Sequence, residues 1–378
     1  MNMTQREAQE RLIKNEEYVS CTEAFLDCRL PGSVPKGNYS LIGPGVTQSE
    51  HQVINLKEKH GFNIGAASMP NGVTNNLHIH FSAEVFMCTY GEYTFRWGSN
   101  GQHEYTAKEG DILSVPTWLF RGFTNTGPDG SWLFTCLGED DTGGVIWHPG
   151  IMQAANESGM YLTKKNVLID LEAGGELPED KSELMPAFPE EEFAHLRQVD
   201  LPEMSQRISS RENRQFYSNA LIDSVLPGHE CSIAPVIGFG ITQDRNSQPN
   251  ITNPHNFTME VVKVPAGNQV GPFKVDKKMV LIQTNGEVEL AFNQEQDVKV
   301  LVATNDTYSV PENTWRTISN HSDQEAEFIM ITAGDARKRP QFSDEILADA
   351  YELGFTLDAS GYIVKRHLIV EESTLLVD

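Results

Sequence analysis

Short apolar runs, each closed by a turn signal, dominate the chain. Glu84-Val-Phe-Met-Cys-Thr-Tyr90 is rich in β-branched and aromatic side chains, breaks at Gly91-Glu92 and resumes at Tyr93-Thr-Phe-Arg-Trp97. Gly98-Ser-Asn-Gly101 makes the next turn, and Asp111-Ile-Leu-Ser-Val115 is a further strand ended by Pro116. Many short strands separated by turns predict a sandwich or barrel rather than alternating βαβ units. Helical patterning is sparse. Residues 4–16 carry an amphipathic helical pattern, and Ser343 followed by Asp344-Glu345 has the form of an N-cap with an acidic first turn for a helix reaching Tyr351. The acidic stretch from Glu172 to Glu192, with Pro178, Pro186 and Pro189, reads as a linker. No apolar run approaches the ~18 residues that a membrane-crossing helix needs.

The pattern is written twice. Ala24-Phe-Leu-Asp-Cys-Arg-Leu-Pro-Gly32 reappears as Ala220-Leu-Ile-Asp-Ser-Val-Leu-Pro-Gly228, displaced by 196 residues. Leu41-Ile-Gly43-Pro-Gly45-Val-Thr-Gln48 reappears as Val236-Ile-Gly238-Phe-Gly240-Ile-Thr-Gln243, displaced by 195. The second offset then holds for His60 and His255, Pro70 and Pro265, Gly91 and Gly286, Pro116 and Pro311, Arg121 and Arg316, and Asn125 and Asn320. A fixed register over that length marks a duplicated domain, with an expected division into residues 1–190 and 191–378.

Composition narrows the class of function. The 378 residues carry 29 Lys and Arg against 53 Asp and Glu, a net charge of −24, so no nucleic-acid or anionic-membrane partner is expected. The charged N-terminus has no apolar core of a secretory signal. The five cysteines form no CxxC pair and are odd in number, which fits a reduced, cytoplasmic chain.

The densest set of metal-type ligands is Gly72-(x)5-His78-Ile-His80-Phe-Ser-Ala-Glu84-(x)6-Gly91. In a strand, His78 and His80 point to one face, and Glu84 shares their parity. Two imidazoles and a carboxylate make a facial set that leaves coordination positions open. This spacing resembles the first signature of the cupin superfamily, with every position filled. The second signature is met at Gly110, Pro116 and Asn125, but Trp118 stands where glycine is usual and Arg121 where a fourth, histidine ligand is usual. Because the repeat spans both halves, the resemblance implies a bicupin: a mainly β fold of two tandem jelly-roll barrels with a few peripheral helices. In the second copy the three ligands correspond to Phe273, Val275 and Met279, so a metal is expected in the first barrel alone. Lys274, Lys277 and Lys278 beside them are read as solvated lysines.

Two further side chains are candidates for catalysis. Arg121 has the shape to grip a substrate carboxylate, although Arg316 at the matching place in the ligand-free copy favours a packing or ion-pair role common to both barrels. His148, in Trp147-His148-Pro149-Gly150, is placed to approach the cavity as an acid or base. His60 and His255 match across the copies and are read as structural, and His103 as a solvated turn residue. Among Tyr90, Tyr93, Phe95, Trp97, Trp118 and Phe123, one or two are expected to face a substrate and the rest to form core. No P-loop, GxGxxG or GxSxG motif is present.

The leading expectation is a non-haem Fe(II) dioxygenase acting on a small aromatic, enol or carboxylate substrate, since this ligand set suits oxygen activation. Its alternatives are a lyase, decarboxylase or isomerase using Mn, Zn or Ni as a Lewis acid, and a binding protein without catalysis. The resemblance also implies a homodimer, or two barrels that pair within one chain.

Overall fold

The computed structural model of the chain describes residues 2–370. Its strands fall into two compact units, Tyr18–Arg214 and the segments Met1–Glu17 and Gln215–Asp378 as far as they are described. In the Tyr18–Arg214 unit a seven-stranded sheet runs in the order Ile208–Ser209, Ile112–Val115, Glu84–Tyr90, Ser131–Gly138, Phe62–Met69, Gly37–Ile42, Ile54–Leu56. A five-stranded sheet runs Val145–Trp147, Thr74–His80, Arg121–Asn125, Glu92–Trp97, His103–Lys108. Sequence neighbours repeatedly lie in different sheets, and nearly every pairing is antiparallel, as a jelly roll requires. The other unit repeats the order with Leu12–Ile13, Thr307–Val310, Met279–Asn285, Ala326–Ala333, Phe257–Val264 and Ser232–Ile237 in one sheet. Its second sheet runs Val298–Val302, Val288–Phe292, Arg316–Ser319, Gln269–Lys274, Gln341–Phe342.

The alternating runs become strands at nearly the expected bounds, Glu84–Tyr90, Glu92–Trp97 and Ile112–Val115. Burial explains why. Phe86, Phe95 and Phe123 meet between the sheets with ring centroids 4.7–5.7 Å apart. Tyr93 and Trp97 complete the same core, so they are packing residues, while Tyr90 lies exposed. Ser343 caps the helix Asp344–Glu352 as expected, accepting a hydrogen bond from the Ile346 N–H. Trp118 takes φ of 60°, the left-handed region that the usual glycine would supply, and its counterpart Asn313 does the same at 55°. All five cysteines are free and buried. No helix among the described residues is long and apolar enough to cross a membrane.

The N-terminal pattern resolves differently from the expectation. The helix over 4–16 shrinks to Gln5–Glu10, closed at its start by a reciprocal Thr4–Glu7 capping box. Leu12–Ile13 then becomes a strand on the edge of Thr307–Val310, pairing with Tyr308 and Thr307. An edge strand with open backbone groups offers more than another helical turn would. The same arrangement recurs before the second copy: Asp200 caps Leu201–Ser205, and Ile208–Ser209 pairs with Leu113 and Ile112. Even the details match, since Ser309 N–H donates to Arg11 O and Ser114 N–H to Arg207 O. The repeat therefore reaches upstream of Ala24, and the strap preceding each copy closes the barrel of the other copy. The expected boundary at 190/191 falls inside the unit Tyr18–Arg214, because the segment to Arg214 includes the strap of that barrel.

Candidate metal centre

His78 and His80 lie on one face of Thr74–His80, and Glu84 opens the strand Glu84–Tyr90 in the other sheet. The bend at Phe81-Ser82-Ala83 folds the carboxylate back over the imidazoles. The two Nε2 atoms are 3.0 Å apart, and Glu84 Oε1 is 3.4 Å from His80 Nε2. Among the described residues this is the group of His, Cys, Asp or Glu placed to share an ion. Neighbouring ligands about 2.1 Å from one metal and at right angles to each other would be about 3.0 Å apart. The spacing of the side chains fits a divalent ion.

The protonation states fit as well. Burial, then Arg121, push His78 down to about 3 and His80 well below its usual value, so both rings are neutral. His78 Nδ1 lies 2.6 Å from the Asn76 carbonyl; as donor it fixes the tautomer and leaves the Nε2 lone pair facing the site. Burial pushes Glu84 up to about 7 against the opposing pull of Arg121. The two Nε2 atoms, 3.0 Å apart beside a buried carboxyl, form an environment that a cation would suit.

Arg121 pairs with His78 across the adjoining strand and is completely buried. Its Nε stands 3.5 Å from Glu84 Oε2, too long for a hydrogen bond, and one terminal nitrogen donates to Pro116 O at 2.9 Å. It sits behind the carboxylate and is not a wall of the cavity. Arg316 occupies the same register beside Phe273, donates to Thr314 O and lies over the Phe273 ring.

The cavity in front of the triad has about 50 Å³ of free volume, where one water needs about 10–15 Å³. Its walls are largely apolar: Phe25, Val46, Ala66, Met69, Phe123, Leu137, Val145 and Trp147. Of the six aromatic candidates Phe123 alone faces it; Phe25 and Trp147 do so unannounced. Val145 and Trp147 pair with His80 and His78, which turns the next residue outward. His148 accordingly lies outside the cavity, a correction to the expectation. It caps the helix Pro149–Glu157 and packs on Phe120 and Phe193 at 5.1 and 5.8 Å. Trp118 stands with the same outer cluster, against Phe81 and Phe188. His60 and His255 make equivalent contacts, each Nδ1 2.6 Å from a carbonyl two residues earlier, as matched structural residues should.

Lys36, Asp27 and Asn75 escaped the sequence reading. The Lys36 ammonium lines the cavity, donates to Asp27 Oδ1 and lies 2.7 Å from Asn75 Oδ1. Asp27 also accepts from the N–H and the side-chain amide of Asn76. One signal could have found them: Asp27 recurs as Asp223, while Cys231 stands at the position matching Lys36.

Solved structures share this architecture. An oxalate decarboxylase from Lactobacillus farciminis, in complex with formate, matches over 88% of this chain and 90% of its own, with 12% identity and a TM-score of 0.52. Oxalate decarboxylase from Bacillus subtilis at pH 4.6 matches over 96% of this chain and 86% of its own, again with 12% identity and 0.52. A third structure, of the Bacillus subtilis enzyme and concerned with its Mn(II) centres, matches over 89% and 80% with 12% identity and 0.52. The chain shares the two-barrel fold of these structures. No protein-family profile matches it, and no curated protein matches it in sequence. The candidate group of His78, His80 and Glu84 belongs to the first copy. Phe273 and Met279, two of the three counterparts, are completely buried apolar residues in the second.

Proposed function

We propose that the protein is a metal-dependent enzyme with one active site, in the barrel Tyr18–Arg214, and that it is a lyase of the decarboxylase type acting on a small carboxylate. The convergence of His78, His80 and Glu84 in a small, largely apolar-walled cavity carries this reading. Likeness to oxalate decarboxylases, one of them described by its Mn(II) centres, favours Mn(II) and the lyase over the Fe(II) dioxygenase expected first. The ion, when bound, supplies Lewis-acid polarisation of a substrate oxygen. The chain's own residues do the rest. Asn76 O holds the His78 tautomer, Trp147 packs against that ring at 5.4 Å, and the apolar walls exclude water from the reacting group. Arg121 is a positioning residue: its charge behind Glu84 favours the carboxylate form that a metal needs.

Metal analysis of protein purified without chelator, followed by turnover of small carboxylates with and without oxygen, tests the reading. One equivalent of metal and release of CO₂ support it. Stoichiometric oxygen consumption would restore the dioxygenase, and a wild type with no more metal than His78→Ala would remove the enzyme altogether.

A further inference from the structure

The cavity holds a second charged wall. Lys36 is 3% exposed and lies against Asp27, Asn75 and the face of Phe25, with its nitrogen 5.4 Å from the ring centroid. The aspartate has a basic neighbour in both barrels, Lys36 beside Asp27 and His229, from a different position, 3.5 Å from Asp223 Oδ2. Asp223 keeps the backbone bond that Asp27 makes, accepting from Gly271 N–H as Asp27 accepts from Asn76 N–H. The registers Gly37 to Ser68 and Ser232 to Lys263 place Lys36 opposite Cys231 and Asn75 opposite Val270. The copy without ligands has thus also given up the ammonium and its amide partner, while keeping the aspartate. Lys36, unlike His229, shares a cavity with the His78, His80 and Glu84 group.

Charge counting says what it faces. Lys36 and Arg121 balance Asp27 and Glu84, so a divalent ion at the triad leaves about two uncompensated positive charges in a low-dielectric cavity. Two of the three ammonium donors go to Asp27 and Asn75, which leaves one for a ligand. We infer that Lys36 is the anion-anchoring residue of the site, holding the carboxylate of a small mono- or dicarboxylate whose other end lies at the triad. The inference rests on the metal-site reading above, and the cavity volume limits the ligand to a few heavy atoms.

Calorimetric titration of oxalate and acetate into the full chain, with acetamide as the neutral control, tests it; metal content is measured separately on each sample. Lys36→Met should hold as much Mn(II) as wild type yet bind oxalate at least about tenfold more weakly, a typical loss for an unpaired charged contact. Lys36→Arg should stay within about threefold of wild type, and acetamide should not distinguish the variants. If Lys36→Met unfolds because Asp27 is left unpaired, Asp27→Asn/Lys36→Met carries the same test. Equal oxalate affinity in wild type and the folded Lys36→Met protein, or no anion binding by metal-loaded wild type, overturns the assignment. Absent metal with Lys36-dependent anion binding would instead fault the metal reading and spare Lys36.

Discussion

Copy two is a natural set of substitutions for testing single residues of copy one. His78→Phe and His80→Val place there the apolar residues that the second barrel already accommodates, so the fold should persist while metal is lost on dialysis; elemental analysis beside a thermal melt checks both. Arg121→Met removes the charge behind Glu84 and should weaken metal binding by about 10–100-fold, the usual cost of losing an outer-shell partner. Arg316→Met should leave metal content unchanged, and a matching loss there would remove the case for a specific role of Arg121. Acidity gives a further check in chelated protein. His78, at about 3 in the fold, stays neutral where the unfolded imidazole protonates near 6.5, so stability falls as pH drops below that value. Glu84 works in the opposite sense. Its folded value of about 7 lies above the unfolded one, so its contribution is full below about 4.5 and is lost as pH rises through 7. Melting temperature should therefore fall on both sides, and His78→Phe should flatten the acid limb; an unchanged acid limb would count against a buried neutral His78.

At the scale of elements, legibility followed locality. The triad could be read because strand parity places His78 and His80 on one face whatever the rest of the fold does. Parity also explains the failure at His148: Trp147 points inward, and the residue after it cannot. Lys36 could not be placed because it reaches the cavity from a segment some forty residues upstream, joined only by tertiary pairing of Gly37–Ile42 with Phe62–Met69. The N-terminal helix is shorter than its pattern predicts for a similar reason. Its amphipathic pattern is real, but Leu12–Ile13 pairs with a strand nearly three hundred residues away, and Tyr308 donates to Ala8 O from that same strand. Deleting residues 2–13 should uncover that edge and remove the burial that Met3 and Ile13 contribute. At about 1.5–3 kcal/mol per side chain, the cost is roughly 3–6 kcal/mol. Metal content should not change, since the ligands lie in the other unit.

For the molecule as a whole, the units differ in how the chain supplies them. Tyr18–Arg214 is continuous, whereas the other unit needs residues from both ends of the sequence. A fragment 18–214 should fold alone and retain metal; circular dichroism and metal analysis against a fragment 1–190, which lacks Ile208–Ser209, would show the difference. The exchanged straps also bear on assembly. A single copy, its own strap paired to another copy's barrel, needs a strap from a second molecule to close, as in a swapped pair. Carrying both copies on one chain replaces that dilution-sensitive exchange by one governed by the tether between them. Fragment 1–190, with a strap but no incoming one, should therefore associate in a concentration-dependent way. A folded fragment that stays monomeric at every concentration would count against closure by exchange. Because the strap and not a His-His-Glu group closes the barrel, the second unit keeps its fold with Phe273 and Met279 in the matching places.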